Sequence, residues 1–261
     1  MDLGDFQTWP GSDDESPFGK PLIPTEWLPS SRLRTFLGDS GYAVRIVASA
    51  QLQAVPDLMA GTKHLHEELE AYGIAVPPRL YVVGSRHRDG AAQAFVAARR
   101  VIGTDLAGAL ADPAVALEAD RLATSLLRYY DAKYRAGGRY LTDLKLEQFV
   151  HGVVDGDDSP RLWFLDLDAG WVEQAPGSGD PVEMARLQWW VAEVANIVTA
   201  AEQASRQWLV AARTGFESIL GSPLFDDERG APRRNEITSA LEGGTSVDGA
   251  RWLHEEFDRR G

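Results

Sequence analysis

Residues 142–148 read Thr-Asp-Leu-Lys-Leu-Glu-Gln, and residues 164–168 read Phe-Leu-Asp-Leu-Asp. The first stretch sets a carboxylate (Asp143), an ammonium (Lys145) and an amide (Gln148) among apolar residues. The second adds two carboxylates, Asp166 and Asp168, to the end of an apolar run. One Asp between leucines is a common turn residue beside a core strand. Two such segments in close succession are harder to dismiss, because together they offer carboxylates and an amide as hard oxygen ligands for a cation, and an ammonium to balance negative charge.

Hydrophobic patterning defines the elements that must position these residues. RLRTFL from Arg32 alternates, GDSG is turn chemistry and YAVRIVA is β-branched and apolar, which together predict a β-hairpin. A helix is predicted through roughly Pro56 to Tyr72, with Leu58, Leu65 and Leu69 near one face and Gly73 placed to end it. PPRLYVVGS and AAQAFVAARRVIG follow as two strands joined by the turn SRHRDG. The next helix has Asp112 as N-cap, Pro113 in its first turn and Gly137 to close it. RYLTDL, QFVHGVV and RLWFLDLD are three brief strands, and from Pro181 the chain is mainly helical. No internal repeat is present.

This order is an α+β, two-lobed outline. Residues 1–20, acidic and rich in Gly, Ser and Pro, are expected to form a flexible arm. Residues 21–102 form a small β-rich lobe with one helix, and residues 103–261 a larger helical lobe with a small β insert. The boundary is placed near Val101 to Gly103.

Composition narrows the function. At 261 residues, 44% hydrophobic and 25% charged, the chain is an ordinary globular one with enough length for a proper core. It has no cysteine, so disulfides, thiolate metal sites and thiol catalysis are excluded. A formal charge of −13 argues against a nucleic-acid surface. The N-terminus carries no basic or apolar signal region and no apolar run is long enough to span a bilayer. The expectation is a cytoplasmic protein that binds neither nucleic acid nor membrane.

With these elements in place, the sequence resembles the protein-kinase-like superfamily, including its atypical and aminoglycoside-phosphotransferase-like branches. TDLKLEQF looks like the catalytic loop HRDLKxxN. Asp143 then stands at the catalytic aspartate, Lys145 at the phosphate-contacting lysine and Gln148 at the metal-binding asparagine. FLDLD resembles the downstream metal segment, with Asp166 as the magnesium ligand and Asp168 as the alternative register. Ala43-Val44-Arg45 is similar to the A-x-K of the third kinase strand, with Arg45 where lysine is usual and Glu67, rather than Glu68, as its helix partner. Arg99 and Val101, within ARRVIG, fall where the adenine-binding hinge would be. The resemblance spans roughly Arg32 to Val198. It implies ATP and magnesium (Mg) as cofactors and transfer of the γ-phosphate to an alcohol, on a small molecule or on a peptide Ser/Thr.

Three departures define a second expectation. No G-x-G-x-x-G loop precedes YAVRIV, Arg45 replaces lysine and Gln148 replaces asparagine. A pseudokinase, serving as a binding module or as the partner subunit of another enzyme, would carry such changes. The A-P-E element is also absent, and the stretch after Asp168 is short, which favours the small-molecule and atypical branches. Outside the motifs, His64 and His66 are expected on an exposed polar face, and Trp189, Trp190 and Trp208 in the core. Trp171 is expected to border the substrate cleft. RWLHEEFDRR is expected to be a short amphipathic helix, capping the larger lobe or meeting a protein partner.

Overall fold

The computed structural model describes residues 7–9, 24–27, 34–38, 41–47, 55–85, 92–142, 144–154, 159–165, 172–174 and 180–259. The expected hairpin is present as β3 (Arg34–Gly38) and β4 (Tyr42–Val47), antiparallel, with Gly41 at φ +79° in the turn. Only glycine adopts that conformation without strain. Two further strands come before it, β1 (Gln7–Trp9) and β2 (Pro24–Trp27). β1 lies within the segment expected to be a flexible arm. Its three residues pair in parallel with the strand at Arg79–Ser85. Such a pairing is long-range, and no local pattern announces it.

Helix α1 (Val55–Ala71) buries Leu65 and Leu69, one turn apart. Gly73, at φ +83°, ends it, and the Ile74 N–H closes back onto the Leu69 carbonyl. Strands β5 (Arg79–Ser85) and β6 (Ala92–Arg99) follow and pair antiparallel. One six-stranded sheet results, in the order β1-β5-β6-β4-β3-β2.

Arg100 alone separates β6 from β7 (Val101–Asp105), and its N–H donates to the Gly41 carbonyl. At this residue the chain leaves the large sheet for a three-stranded one. Asp105 caps the short helix α2 (Leu106–Ala109) by accepting from Gly108 N at 2.7 Å. Helix α3 (Pro113–Ala136) has the expected ends: Asp112 accepts from Ala114 N at 2.9 Å, and Gly137 closes onto the Lys133 carbonyl. β8 (Arg139–Leu141), β9 (Phe149–Val154), β10 (Arg161–Phe164) and β11 (Val172–Gln174) then build two small sheets, β10-β9-β7 and β11-β8.

The remainder is helical: α4 (Pro181–Ser205), α5 (Val210–Leu220), α6 (Gly230–Gly243) and α7 (Ala250–Asp258). α4 is buried on most of its circumference, including Leu187, Val191, Val194, Ala195 and Val198, so it is the axis of the helical part. α5 has no side-chain cap of its own. Buried Asp120 of α3 supplies one, accepting from Ala211 N at 3.3 Å and Ala212 N at 2.7 Å. Buried Arg233 of α6 ties α4 to α7, donating to Gln188 at 2.5 Å and to Glu256 at 2.8 Å. Leu65, Leu69, Ile74 and Val76 join the same apolar cluster as α3 and α4, so a single core runs from α1 to the C-terminal helices. Among the described residues no helix is long and apolar enough to cross a membrane.

Two side chains lie where patterning did not place them. His66 is fully buried, with Nδ1 at 2.6 Å from the Tyr81 hydroxyl, while His64 is exposed. The corrected placement follows from α1 facing β5 with its Thr62–His66 side, both residues being buried. Trp208 is 63% exposed, whereas Trp190 is buried and Trp189 stacks on it with ring centroids 4.2 Å apart. The helix breaks after Ser205: Arg206 adopts φ +56°, and helix resumes only at Val210, leaving Trp208 in the connection. Trp171 lies outside the described residues.

Candidate functional site

The loop 142–148 is anchored at both ends by backbone. On the entry side, Tyr129 and Tyr130 of α3 grip Leu141, the last residue of β8. The Leu141 N–H donates to the Tyr129 hydroxyl at 2.8 Å, and the Tyr130 hydroxyl donates to the Leu141 carbonyl at 3.1 Å. Both phenols are completely buried, and that burial holds their pKa values well above the ordinary tyrosine range. Thr142 and Leu144 are buried as well, which turns Lys145 outward into solvent.

On the exit side the loop closes in a 3-10 turn over Leu146–Gln148 and runs straight into β9. The Gln148 side-chain carbonyl folds back to accept the Lys145 N–H at 2.9 Å. Amide side chains suit this task because they can replace a missing backbone partner at the start of a turn. The oxygen proposed for a metal is therefore already hydrogen-bonded to the loop. Its chemistry fits a hard cation, and its aim is set by the turn.

The second motif is brought to the first through β10. Phe164 is paired with Phe149 across the β9–β10 ladder, and both rings are buried with centroids 5.4 Å apart. The Phe164 N–H donates to the Ala75 carbonyl at 2.8 Å, and the Leu165 N–H to the Gln148 carbonyl at 2.8 Å. Two successive N–H groups thus clasp the end of β10 between the segment following α1 and the end of the loop. The next residue in the chain is Asp166. Beyond the second motif, Val172 of β11 pairs with Leu141 of β8, immediately before Thr142. Each flank of one motif thus meets a flank of the other, Gln148 with Leu165 through a hydrogen bond and Leu141 with Val172 through strand register.

Asp143, Asp166 and Asp168 themselves lie outside the described residues. Among the described residues, no three His, Asp or Glu side chains gather as metal ligands. Arg45 lies on β4 with its backbone opposite Thr35 and Val96, and its side chain is not among those described. Arg99, the last residue of β6, stacks its guanidinium over Tyr42 at 4.7 Å. Val101 opens β7 opposite Val154, at the end of β9 remote from Gln148. Glu67 is exposed and pairs with Lys63 at 3.9 Å, while Glu68 pairs with Lys133 of α3.

Asp105 was not singled out by sequence reasoning. It stands opposite Val150, two residues beyond Gln148, and α2, which it caps, packs on the 3-10 turn of the loop. The signal for it was available: an Asp after Val-Ile-Gly-Thr and before an apolar helical segment is an N-cap pattern.

No family model matches the sequence, and no curated protein matches it. Among solved structures, the chain is similar to the Legionella pneumophila Lpg2603 kinase bound to IP6. The identity is 10% and the TM-score 0.48, over 90% of this chain and 79% of that one.

Proposed function

We propose that this chain is a phosphotransferase of two-lobed, protein-kinase-like architecture, using ATP and magnesium to phosphorylate an alcohol. The observation that carries the reading is the double stitching of TDLKLEQ to FLDLD, by Leu165 N–H to Gln148 O and by the Val172–Leu141 pair. That arrangement makes neighbours of two loops whose residue types suit the chemistry. In the transfer, the acceptor oxygen forms a bond to the γ-phosphorus as the bond to the bridging β–γ oxygen breaks. The acceptor proton passes to the Asp143 carboxylate and ADP departs. Lys145, solvent-facing at the loop's turn, offsets charge on the transferred group. Asp166 and Gln148, with Asp168 as the alternative carboxylate, would hold the magnesium ion that neutralises phosphate charge. Arg45 would steady the nucleotide phosphates, and Arg99 and Val101 flank the one-residue link where adenine would lie.

A second reading has its own support. The Gln148 carbonyl already accepts the Lys145 N–H, which suits a loop retained for its shape, as in a pseudokinase acting as a binding module or partner subunit. A thermal-shift titration with ATP and magnesium separates the two. A ligand that binds only the native state raises the melting temperature. The phosphotransferase reading expects a saturable, magnesium-dependent rise that Asp166→Ala removes. Asp143→Asn should keep nucleotide affinity and lose transfer. No shift and no calorimetric binding at saturating nucleotide would leave the binding-module reading standing.

A further inference from the structure

Helices α5 and α6 enclose a groove of about 460 Å³ whose floor is formed by Phe216, Leu220 and Leu241, all buried. None of its lining residues belongs to the two motif loops or to the strands that join them. At its rim stands Trp208, the exposed indole in the connection after α4. This side chain is held in place. The Arg213 guanidinium lies 3.3 Å from the centre of its ring, and that guanidinium is fixed in turn by Glu202, through bonds of 2.7 and 2.5 Å, and by the Leu241 carbonyl at 2.7 Å. A large aromatic ordered before any partner arrives loses little entropy on binding, and tryptophan is over-represented among residues that dominate interface energies.

The charges around the groove decide what can enter. Arg213 is neutralised by Glu202, and Arg234 by Asp226 at 2.9 Å. Glu217 and Glu242, both exposed on the rim, have no cationic partner among the described residues. The groove therefore presents an apolar floor, an ordered indole and two uncompensated carboxylates, on a chain of net charge −13. Anionic ligands such as nucleotides are disfavoured here. A segment that brings apolar side chains together with a cation satisfies both parts.

We propose that the α5–α6 groove docks a basic, apolar peptide segment of a partner protein. Its apolar side chains rest on Phe216, Leu220 and Leu241 against Trp208, and its Lys or Arg pairs with Glu217 and Glu242. Neither feature depends on nucleotide chemistry, so the proposal stands or falls separately from the phosphotransferase reading.

The test uses the full chain and two synthetic peptides of equal length, one of leucines and lysines and one with every lysine replaced by glutamate. Fluorescence anisotropy should show saturable binding of the lysine peptide only. Trp208→Ala, and separately the pair Glu217→Gln and Glu242→Gln, should each weaken it about tenfold or more. Two exposed acids that do not line the groove, Glu228→Gln and Asp258→Asn, should leave it unchanged. The carboxylates face solvent, so the glutamine pair decides the matter even if the tryptophan variant does not fold. Three results overturn the proposal. One is equal binding by all variants, which would mark diffuse attraction to an acidic surface. Another is binding of the glutamate peptide, or of neither. The last is self-association of the chain that Trp208→Ala abolishes, which would make a second copy the occupant.

Discussion

The Glu68 carboxylate on α1 is ion-paired with the Lys133 ammonium on α3, and the two side chains are only 20% and 10% exposed. Lys133 also sits 5.6 Å from the centre of the Tyr129 ring, and Tyr129 is one of the residues gripping Leu141. The pair therefore joins α1 to the same helix that anchors the loop carrying Lys145 and Gln148.

Removing one partner of a shielded ion pair leaves the other charge with poor solvation. Lys133→Ala should therefore destabilise the protein by about 3 kcal/mol. Replacing both residues, as Glu68→Leu with Lys133→Met, should recover most of that loss. Denaturant melts of the three proteins check it. A double variant as unstable as the single would show that the ion pair is not the source.

The Gln148 carbonyl serves the loop turn, so Gln148→Ala should cost about 1 kcal/mol, the scale of a lost cap. If that oxygen also meets a metal, the nucleotide shift should lose its magnesium dependence in the same variant. Melting curves with ATP, with and without magnesium, measure both effects. A wild-type magnesium response in Gln148→Ala would remove Gln148 from metal binding.

Gly103 and Gly152 are directly paired across β7 and β9, and a Cβ on either would collide with backbone of the other strand. Gly103→Ala and Gly152→Ala should each cost about 2 kcal/mol or more, because the strands must separate to admit the methyl group. Gly243→Ala on α6, with its nearest neighbour at 4.0 Å, should be neutral or slightly stabilising. Equal effects at all three positions would contradict the close approach.

Tyr81, half-buried beside His66, has its pKa pushed from 10.0 up to about 12, chiefly by its partial burial and against the opposing effect of Arg79. The folded state thus holds this proton more tightly than the unfolded chain does. The resulting stability is fully present below pH 10 and is lost as pH rises toward about 12. Tyr129 and Tyr130 shift in the same direction, so alkaline unfolding should set in across that window. Tyr81→Phe should soften the decline, as followed by ultraviolet absorbance of tyrosinate alongside circular dichroism. A tyrosine titration complete near pH 10 with the fold intact would contradict the burial of these phenols.

Legibility in the sequence followed how local each determinant is. Both ends of α3 were readable because Asp112, Pro113 and Gly137 act within one turn. The β3–β4 hairpin was readable because alternation and a glycine turn are adjacent in sequence. β1 was not, since three residues acquire strand geometry only from β5, far along the chain. His66 reads as a surface residue because the acids Glu67 and Glu68 follow it in sequence, yet helix rotation turns it to the buried face. Trp208 reads as a core residue because it falls in a long helical stretch placed in the interior; the left-handed turn at Arg206 leaves no trace in that pattern. At the candidate site, the two motifs were visible as residue types. Their joining by Leu165 and Val172 is backbone pairing, which side-chain identity does not encode. The turn-capping role of Gln148 was hidden for a related reason, as it depends on a 3-10 turn.

The unbroken apolar cluster linking Leu65, Leu69, Ile74 and Val76 to α3 and α4 bears on how the chain can be divided. A fragment beginning at Gly103 would expose the α3 surface that meets Glu68 and Tyr72, and a fragment ending there would keep β5 and β6 against α1 but lose that contact. Neither piece inherits a finished interior. The chain should therefore unfold in one calorimetric transition, with α1 exchanging its amide hydrogens as slowly as the helices it rests on.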